Sequence, residues 1–205
     1  MKINIIYKDD LEFPDNLRNI YNCPEKLYVL GNIENLRKNC VSIVGCRDCS
    51  LYGKMQAERI AFKLSKQGKV IVSGLAKGID SQAHMGALNA RGRTIAVLGH
   101  GLDKIYPKFN KNLAIEILKN NGTIISEYSF EDPFLRENFI KRNRIISGIS
   151  NSLIVVEARK KSGSLITANF ALEQGKKIMA VPGKLSNLNS VGTNFLIRNG
   201  AEIYI

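Results

Sequence analysis

From Cys40 to the end of the chain, short runs of Val, Ile and Leu alternate with longer helical stretches, and a glycine closes nearly every helical stretch. The apolar runs lie at 41–44, 69–72, 94–98, 123–126, 153–156, 177–181 and 202–204. Most are rich in β-branched residues, as strands buried on both faces of a parallel sheet must be. The helical stretches lie at 52–67, 80–91, 110–120, 138–149, 163–175 and 192–199. Gly68, Gly92, Gly122, Gly175 and Gly200 follow them, where a left-handed residue ends a helix without a Cβ clash. This strand-helix rhythm predicts an α/β fold, a doubly wound, mostly parallel sheet with helices on both faces. Residues 1–39, with Pro14, Pro24 and the apolar pairs Leu27-Tyr28 and Val29-Leu30, read as a partly helical, extended lead-in packed on a domain spanning 40–205.

A chain of 205 residues buries about 70% of its unfolded surface, so it needs no disulfide or metal staple. Its hydrophobic content of 44% and charged content of 23% are those of a globular protein. No apolar run approaches the roughly 18 residues of a membrane span, and the opening segment meets charge too early for a secretory signal, which predicts a cytoplasmic protein. The net charge of +12 is uneven: residues 1–34 carry 4 basic and 6 acidic groups, leaving 26 and 12 for the rest. Such a surface favours polyanions. No strongly amphipathic lysine-rich helix points instead to a membrane surface.

Six loops that follow the strands put glycines, hydroxyls and charge on one rim, where open α/β sheets bind ligands. They contain Gly45 and Arg47 after the first run; Ser73, Gly74, Lys77 and Gly78 after the second; and Gly99 and Gly101, flanking His100, after the third. Ser126-Glu127 follows the fourth run, Arg159, Lys160, Lys161, Ser162, Gly163 and Ser164 the fifth, and Pro182-Gly183-Lys184 the sixth. Glycines admit an anion close to the backbone, and the amides of the next helix point at it. A phosphate site is expected. Between Phe139 and Ile146, Lys141, Arg142 and Arg144 offer charge to phosphates while Phe139 offers a face for a base, and Asn143 braces the loop. A solvated basic helix face is the bland alternative.

Enzymatic signatures are missing from the sequence: GxxxxGK[ST], a complete GxGxxG after the first run, GxSxG and HExxH do not occur, and no cofactor or metal motif is present. His84 reads as a packed histidine and His100 as a better candidate for ligand contact. Asp80, Asp103, Glu127 and Glu157 lie near the rim, where they could do acid–base work on an N-glycosidic bond but more readily hold the cations in place. Cys46 and Cys49 form a CxxC, for which reduced structural thiols are preferred over a redox pair.

The loops taken in order, Val-Gly-Cys-Arg, Ser-Gly-Leu-Ala-Lys-Gly-Ile-Asp, Gly-Leu-Asp-Lys-Ile-Tyr-Pro, Ile-Ser-Glu, Phe-Ile-Lys-Arg-Asn-Arg-Ile-Ile, Val-Glu-Ala, Ser-Gly-Ser-Leu-Ile-Thr-Ala and Ala-Val-Pro-Gly, resemble the DNA-processing protein A (DprA/Smf) family. The resemblance runs from about Phe13 to the last residue. It implies an extended Rossmann-like domain that binds single-stranded DNA, protects it and helps load a RecA-type recombinase during natural transformation. It carries DNA-binding roles to Arg47, to the Ser73–Gly78 loop with Lys77, and to Phe139, Lys141, Arg142 and Arg144, with Ser162-Gly163-Ser164 completing the pocket. It also implies a homodimer through residues 192–205. Cys46 departs from the family's usual serine or threonine, and Lys77 from its frequent arginine, so the guanidinium fork is lost there. The family's N-terminal helical domain and C-terminal winged helix are not expected within these residues. A competing reading is a nucleotide-binding sensor or phosphoribohydrolase-like enzyme on a related fold; its Pro-Gly-Gly-x-Gly-Thr-x-x-Glu hallmark is replaced by Ser162-Gly163-Ser164-Leu165-Ile166-Thr167.

Overall fold

The structure, a computed structural model, describes residues 2–205. Its strands are β1 (Asn4–Tyr7), β2 (Lys26–Gly31), β3 (Cys40–Val44), β4 (Val70–Ser73), β5 (Thr94–Leu98), β6 (Thr123–Ser126), β7 (Ser152–Val155), β8 (Lys177–Ala180) and β9 (Glu202–Ile203). They form a single sheet in the order β1-β2-β6-β5-β4-β3-β7-β8-β9. From β6 through β9 all neighbours are parallel, as the continuous apolar runs predict. The chain winds outward from β3 to β6, then returns to lay β7 against the other side of β3, so the switch point of the doubly wound sheet lies between β3 and β7.

The lead-in does more than pack on the core. β2 pairs antiparallel with β6 and β1 antiparallel with β2, so residues before Cys40 extend the sheet by two strands. The alternation Lys26-Leu27-Tyr28-Val29 marks β2: Leu27 and Val29 are buried while Lys26 and Tyr28 are half-exposed. Phe13 and Leu17, the latter in α1 (Asp15–Arg18), are also fully buried.

Period-2 alternation divides the core between the two faces. Cys40 and Val44 join Val72, Val97, Val155 and Ile145 on one side. Val41 and Ile43 join Ile71, Ile154 and the alanines of α2 (Leu51–Lys66) and α3 (Ile79–Asn89) on the other. Those two helices approach closely through Gly86, where an added Cβ would strike the Glu58 carbonyl. α4 (Lys111–Lys119), α7 (Gly163–Glu173) and α8 (Val191–Arg198) follow the expected stretches. The stretch expected as one helix at 138–149 is instead α5 (Arg136–Lys141) and α6 (Asn143–Ile149), meeting at Arg142. There the Ile145 N–H donates to Arg142 O three residues back at 2.9 Å, while Lys141 O accepts from Arg144 Nη1 at 3.0 Å, which interrupts the regular ladder. No described helix is long and apolar enough to cross a membrane.

Candidate nucleic-acid groove

A cleft of about 900 Å³ opens at the carboxyl ends of β3 and β7, where the strand order reverses. Arg47, Arg136, Arg159 and Lys161 line it with positive charge, and Tyr106, Phe134 and Phe139 line it with aromatic rings. A side pocket of about 180 Å³, walled by Arg47, Lys77, Tyr106, Phe109 and Phe139, adjoins it.

The loop after β3 is held at both ends, and its middle projects. Cys46 N–H donates to Glu157 O at 2.8 Å, and Cys46 O accepts from Ile79 N–H at 3.2 Å. Ser50 caps α2 by accepting from Gly53 N–H at 3.0 Å, and the buried Glu157 carboxylate accepts from Ser50 N–H at 2.8 Å and Ser50 Oγ at 2.5 Å. Gly45 lies where a Cβ would come within 2.6 Å of Ile79. Arg47 is thereby presented exposed on a fixed turn. Asp48 next to it pairs with Lys77 at 2.7 Å; this hydrogen bond raises the lysine pKa and lowers that of the carboxylate. Both groups are solvated, so Lys77 can exchange this partner for a phosphate at little cost.

The Ser73–Gly78 loop departs from expectation. Two of its amides are taken up within the fold: the Asp80 carboxylate accepts from Gly74 N–H at 3.1 Å and Ala76 N–H at 3.4 Å. Ser73 is buried and donates to Ile43 O at 2.7 Å, a tie between β4 and β3 rather than a ligand contact. Arg142 is buried beneath this loop at the floor of the cleft, donating through Nη1 to Gly74 O at 2.9 Å and to Val97 O. Burial lowers its pKa to about 10, partly offset by Asp80, so it is charged at neutral pH. Burial pushes the Asp80 carboxyl up, against the pull of Arg142. Arg142 thus supplies positive potential from below and holds the loop.

The other cations of the octapeptide diverge. Arg144 forms a two-pronged pair with Glu127 at 2.9 and 2.6 Å and donates to Asn22 O at 2.8 Å, away from the cleft. Lys141 is exposed but is not among the cleft's lining residues. Asn143 lines the cleft and donates to Gly163 O at 3.4 Å, while Phe139 is half-buried in its wall. Gly99 and Gly101 serve close packing: a Cβ on Gly99 would lie 3.0 Å from the Phe139 backbone, and one on Gly101 would press on Ser129 and Phe130. Ser162 caps α7 by accepting from Ser164 N–H at 3.4 Å, the two hydroxyls lie 2.8 Å apart, and Gly163 between them faces open space.

His84 is packed, as expected: its Nδ1 meets Thr94 Oγ1 at 2.7 Å, and burial drops its pKa to about 3. His100 is buried as well, with Nδ1 at 2.8 Å from Gly101 O. Burial pushes the Cys46 and Cys49 thiols up, the opposite of a reactive redox cysteine. Phe134 and Arg136 in the cleft wall escaped the sequence reading, because 130–136 carries no periodicity. Tyr106 stood within a quoted motif without a role.

Comparison with known proteins shows the family and the fold. A family profile described as DNA recombination-mediator protein A matches residues 4–205. The chain is 44% identical over 191 residues to DNA processing protein DprA of Streptococcus pneumoniae, covering 93% of this chain and 67% of that one. It is 41% identical over 198 residues to protein Smf of Escherichia coli, covering 97% and 53%. The chain therefore spans about half the length of the latter relative. The crystal structure of the pneumococcal protein superposes with a TM-score of 0.93 at 40% identity, covering 100% of this chain and 71% of that one. DNA processing protein A from Helicobacter pylori, solved to describe its single-stranded DNA binding mode, superposes with a TM-score of 0.89 at 33% identity, covering 99% and 91%. The molybdenum cofactor binding protein of Rippkaea orientalis, at 19% identity and a TM-score of 0.59 over 82% of this chain and 90% of that one, shares the fold alone. With the profile matched over almost the whole sequence and the relatives' identity far above that level, the chain belongs to the DNA recombination-mediator protein A family, the DprA/Smf proteins.

Proposed function

We propose that the cleft binds single-stranded DNA without base specificity, and that the protein shields the strand and helps load a RecA-type recombinase in recombination. The observation that carries this reading is the convergence of Arg47, Arg136, Arg159 and Lys161 with Tyr106, Phe134 and Phe139 in one cleft at the sheet's switch point. Cations track a phosphate backbone and rings take bases, whereas a small nucleotide would leave most of about 900 Å³ unfilled. The relative from Helicobacter pylori, a single-stranded DNA binder, supports the same assignment. We further propose a homodimer through residues 192–205, where Phe195 and Ile203 present apolar surface.

The test is binding of thymidine tracts across a salt series. Affinity is expected to fall with a log–log slope of about −3 to −4, near −0.7 for each phosphate neutralised. Arg47→Ala should flatten that slope by about 0.7, and a duplex of the same length should bind more weakly. An unchanged slope in Arg47→Ala and Arg159→Ala together would remove the cleft from DNA binding. A recombinase-loading role predicts faster recombinase assembly on protein-coated single strands, with no acceleration by the Arg47→Ala variant.

A further inference from the structure

At the amino ends of the parallel strands, the pole of the sheet opposite the cleft, the helices α2, α3, α4, α7 and α8 all end in the same way. The residue after each cap is left-handed: Gly68 (φ +78°), Arg91 (φ +54°), Asn121 (φ +60°), Gly175 (φ +65°) and Gly200 (φ +100°). In α3 the motif is closed by Arg91 N–H donating to Leu88 O at 2.8 Å and Gly92 N–H donating to Ala87 O at 2.9 Å. Glycine and asparagine suit that backbone, whereas an arginine there crowds its Cβ against the following carbonyl. Arg91 is exposed, so packing does not account for an arginine at this position.

Arg91 belongs to a cationic field. The segment before β3 crosses this pole with Arg37 and Lys38, Lys66 ends α2, Lys69 leads into β4 and Arg93 into β5. Arg37, Lys38, Lys66 and Arg91 are exposed, and Lys69 and Arg93 are half-buried. Among the described residues none of the six forms an ion pair, whereas Lys119 and Lys177 on the flanks are paired with Glu116 and Glu202. Glu34 and Glu58 stand at the margin, and Glu58 already accepts from Asn89 Nδ2 at 2.8 Å. Lys66 alone of the six lies in the last turn of an α-helix, so compensation of helix dipoles does not explain the field.

We propose that this pole is a second nucleic-acid site, which holds the phosphate backbone of duplex DNA. β5, β4 and β3 are neighbours, so their amino ends span about 10 Å. That length of duplex carries about six phosphate charges, one for each of the six cations. Phe62, the exposed ring beside the field, has Lys66 Nζ 5.5 Å from its centroid, and the other exposed neighbours are amides such as Asn39, Asn120 and Asn151. Such a surface reads phosphates without unpairing bases, and it lacks the apolar anchors with which a basic face enters an anionic bilayer. The five residues of β3 put about 16 Å between this site and the cleft, so one molecule has room for a duplex and a single strand at once.

The test measures a labelled duplex binding across a salt series to the wild type and to Arg37→Gln/Lys66→Gln/Arg91→Gly, in which glycine suits the left-handed turn. The wild type is expected to bind the duplex, more weakly than a thymidine tract, with a log–log slope of about −5, near −0.9 per phosphate. The triple variant should flatten that slope by about 2.7 and melt no lower than the wild type, with thymidine-tract binding unchanged. One equivalent of thymidine tract should leave duplex binding in place. The proposal is overturned if the wild type does not bind duplex, if the triple variant keeps the wild-type slope, or if that equivalent of thymidine tract displaces the duplex. It is also overturned if the triple variant loses only its adhesion to phosphatidylglycerol vesicles. Thymidine-tract binding by Arg47→Ala tests the cleft separately, so either site can fail without the other.

Discussion

Arg47 and Arg142 carry the same side chain into one cleft, the first exposed and the second buried, and their energetics differ accordingly. Arg142 is buried against Gly74 O and Val97 O with Asp80 as counter-charge, so removing its cation strands a buried carboxylate. Arg142→Met is expected to cost about 3–5 kcal/mol of stability, and adding Asp80→Asn should restore part of it. Arg47 is exposed, so Arg47→Ala should change stability by less than about 0.5 kcal/mol while weakening DNA binding. Urea unfolding of the three variants checks this, and an Arg142→Met protein as stable as the wild type would refute the buried-brace assignment. In sequence the three cations at 141, 142 and 144 look equivalent. Successive helical residues point about 100° apart, which sends Lys141 outward, Arg142 beneath the Ser73–Gly78 loop and Arg144 to Glu127.

At the scale of elements, the rim works because one loop seats beneath another. Gly78 has φ +88°, and a Cβ there would strike the carbonyl oxygens of Cys46 and Arg47. Gly78→Ala should therefore cost about 1–3 kcal/mol and, by shifting the turn that presents Arg47, weaken oligonucleotide binding. Gly163 at the start of α7 has open space around its Cβ position, so Gly163→Ala should be neutral or stabilise by up to about 1 kcal/mol. Thermal melts of the pair check the contrast, and equal effects would show that the close approach at Gly78 is not what demands glycine. The strands of the parallel sheet were legible because burial on both faces leaves uninterrupted apolar runs. β1 was not: an edge strand of four residues, Asn4 to Tyr7, with one buried side chain carries almost no pattern.

For the whole molecule, the charge of +12 opposes self-association through most of the surface, which leaves apolar patches as the sites where two copies can meet. Around α8 and β9, Val191, Phe195, Ile203 and Ile205 are exposed, and β9 ends the sheet with an unpaired edge. A homodimer through this region predicts a concentration-dependent mass by light scattering, reduced to the monomer by Phe195→Glu. A wild type that remains monomeric at high micromolar concentration would refute the interface.

The parallel α/β architecture, the glycine-punctuated helices, the cationic rim and the family are legible in the chain before it folds. These are written in local periodicity and ordered motifs. Which rim residues face the cleft follows from long-range packing, because each side chain answers to a partner distant in the chain. Arg142 meets Gly74 across 68 residues, and Arg144 meets Asn22 across 122. Asp80 takes the Gly74 amide that glycine spacing offered to phosphate, and Tyr106 joins Phe134 and Phe139 from a separate loop. Local pattern sets the direction of a side chain relative to its own element; the packing of elements around the switch point sets what that side chain meets.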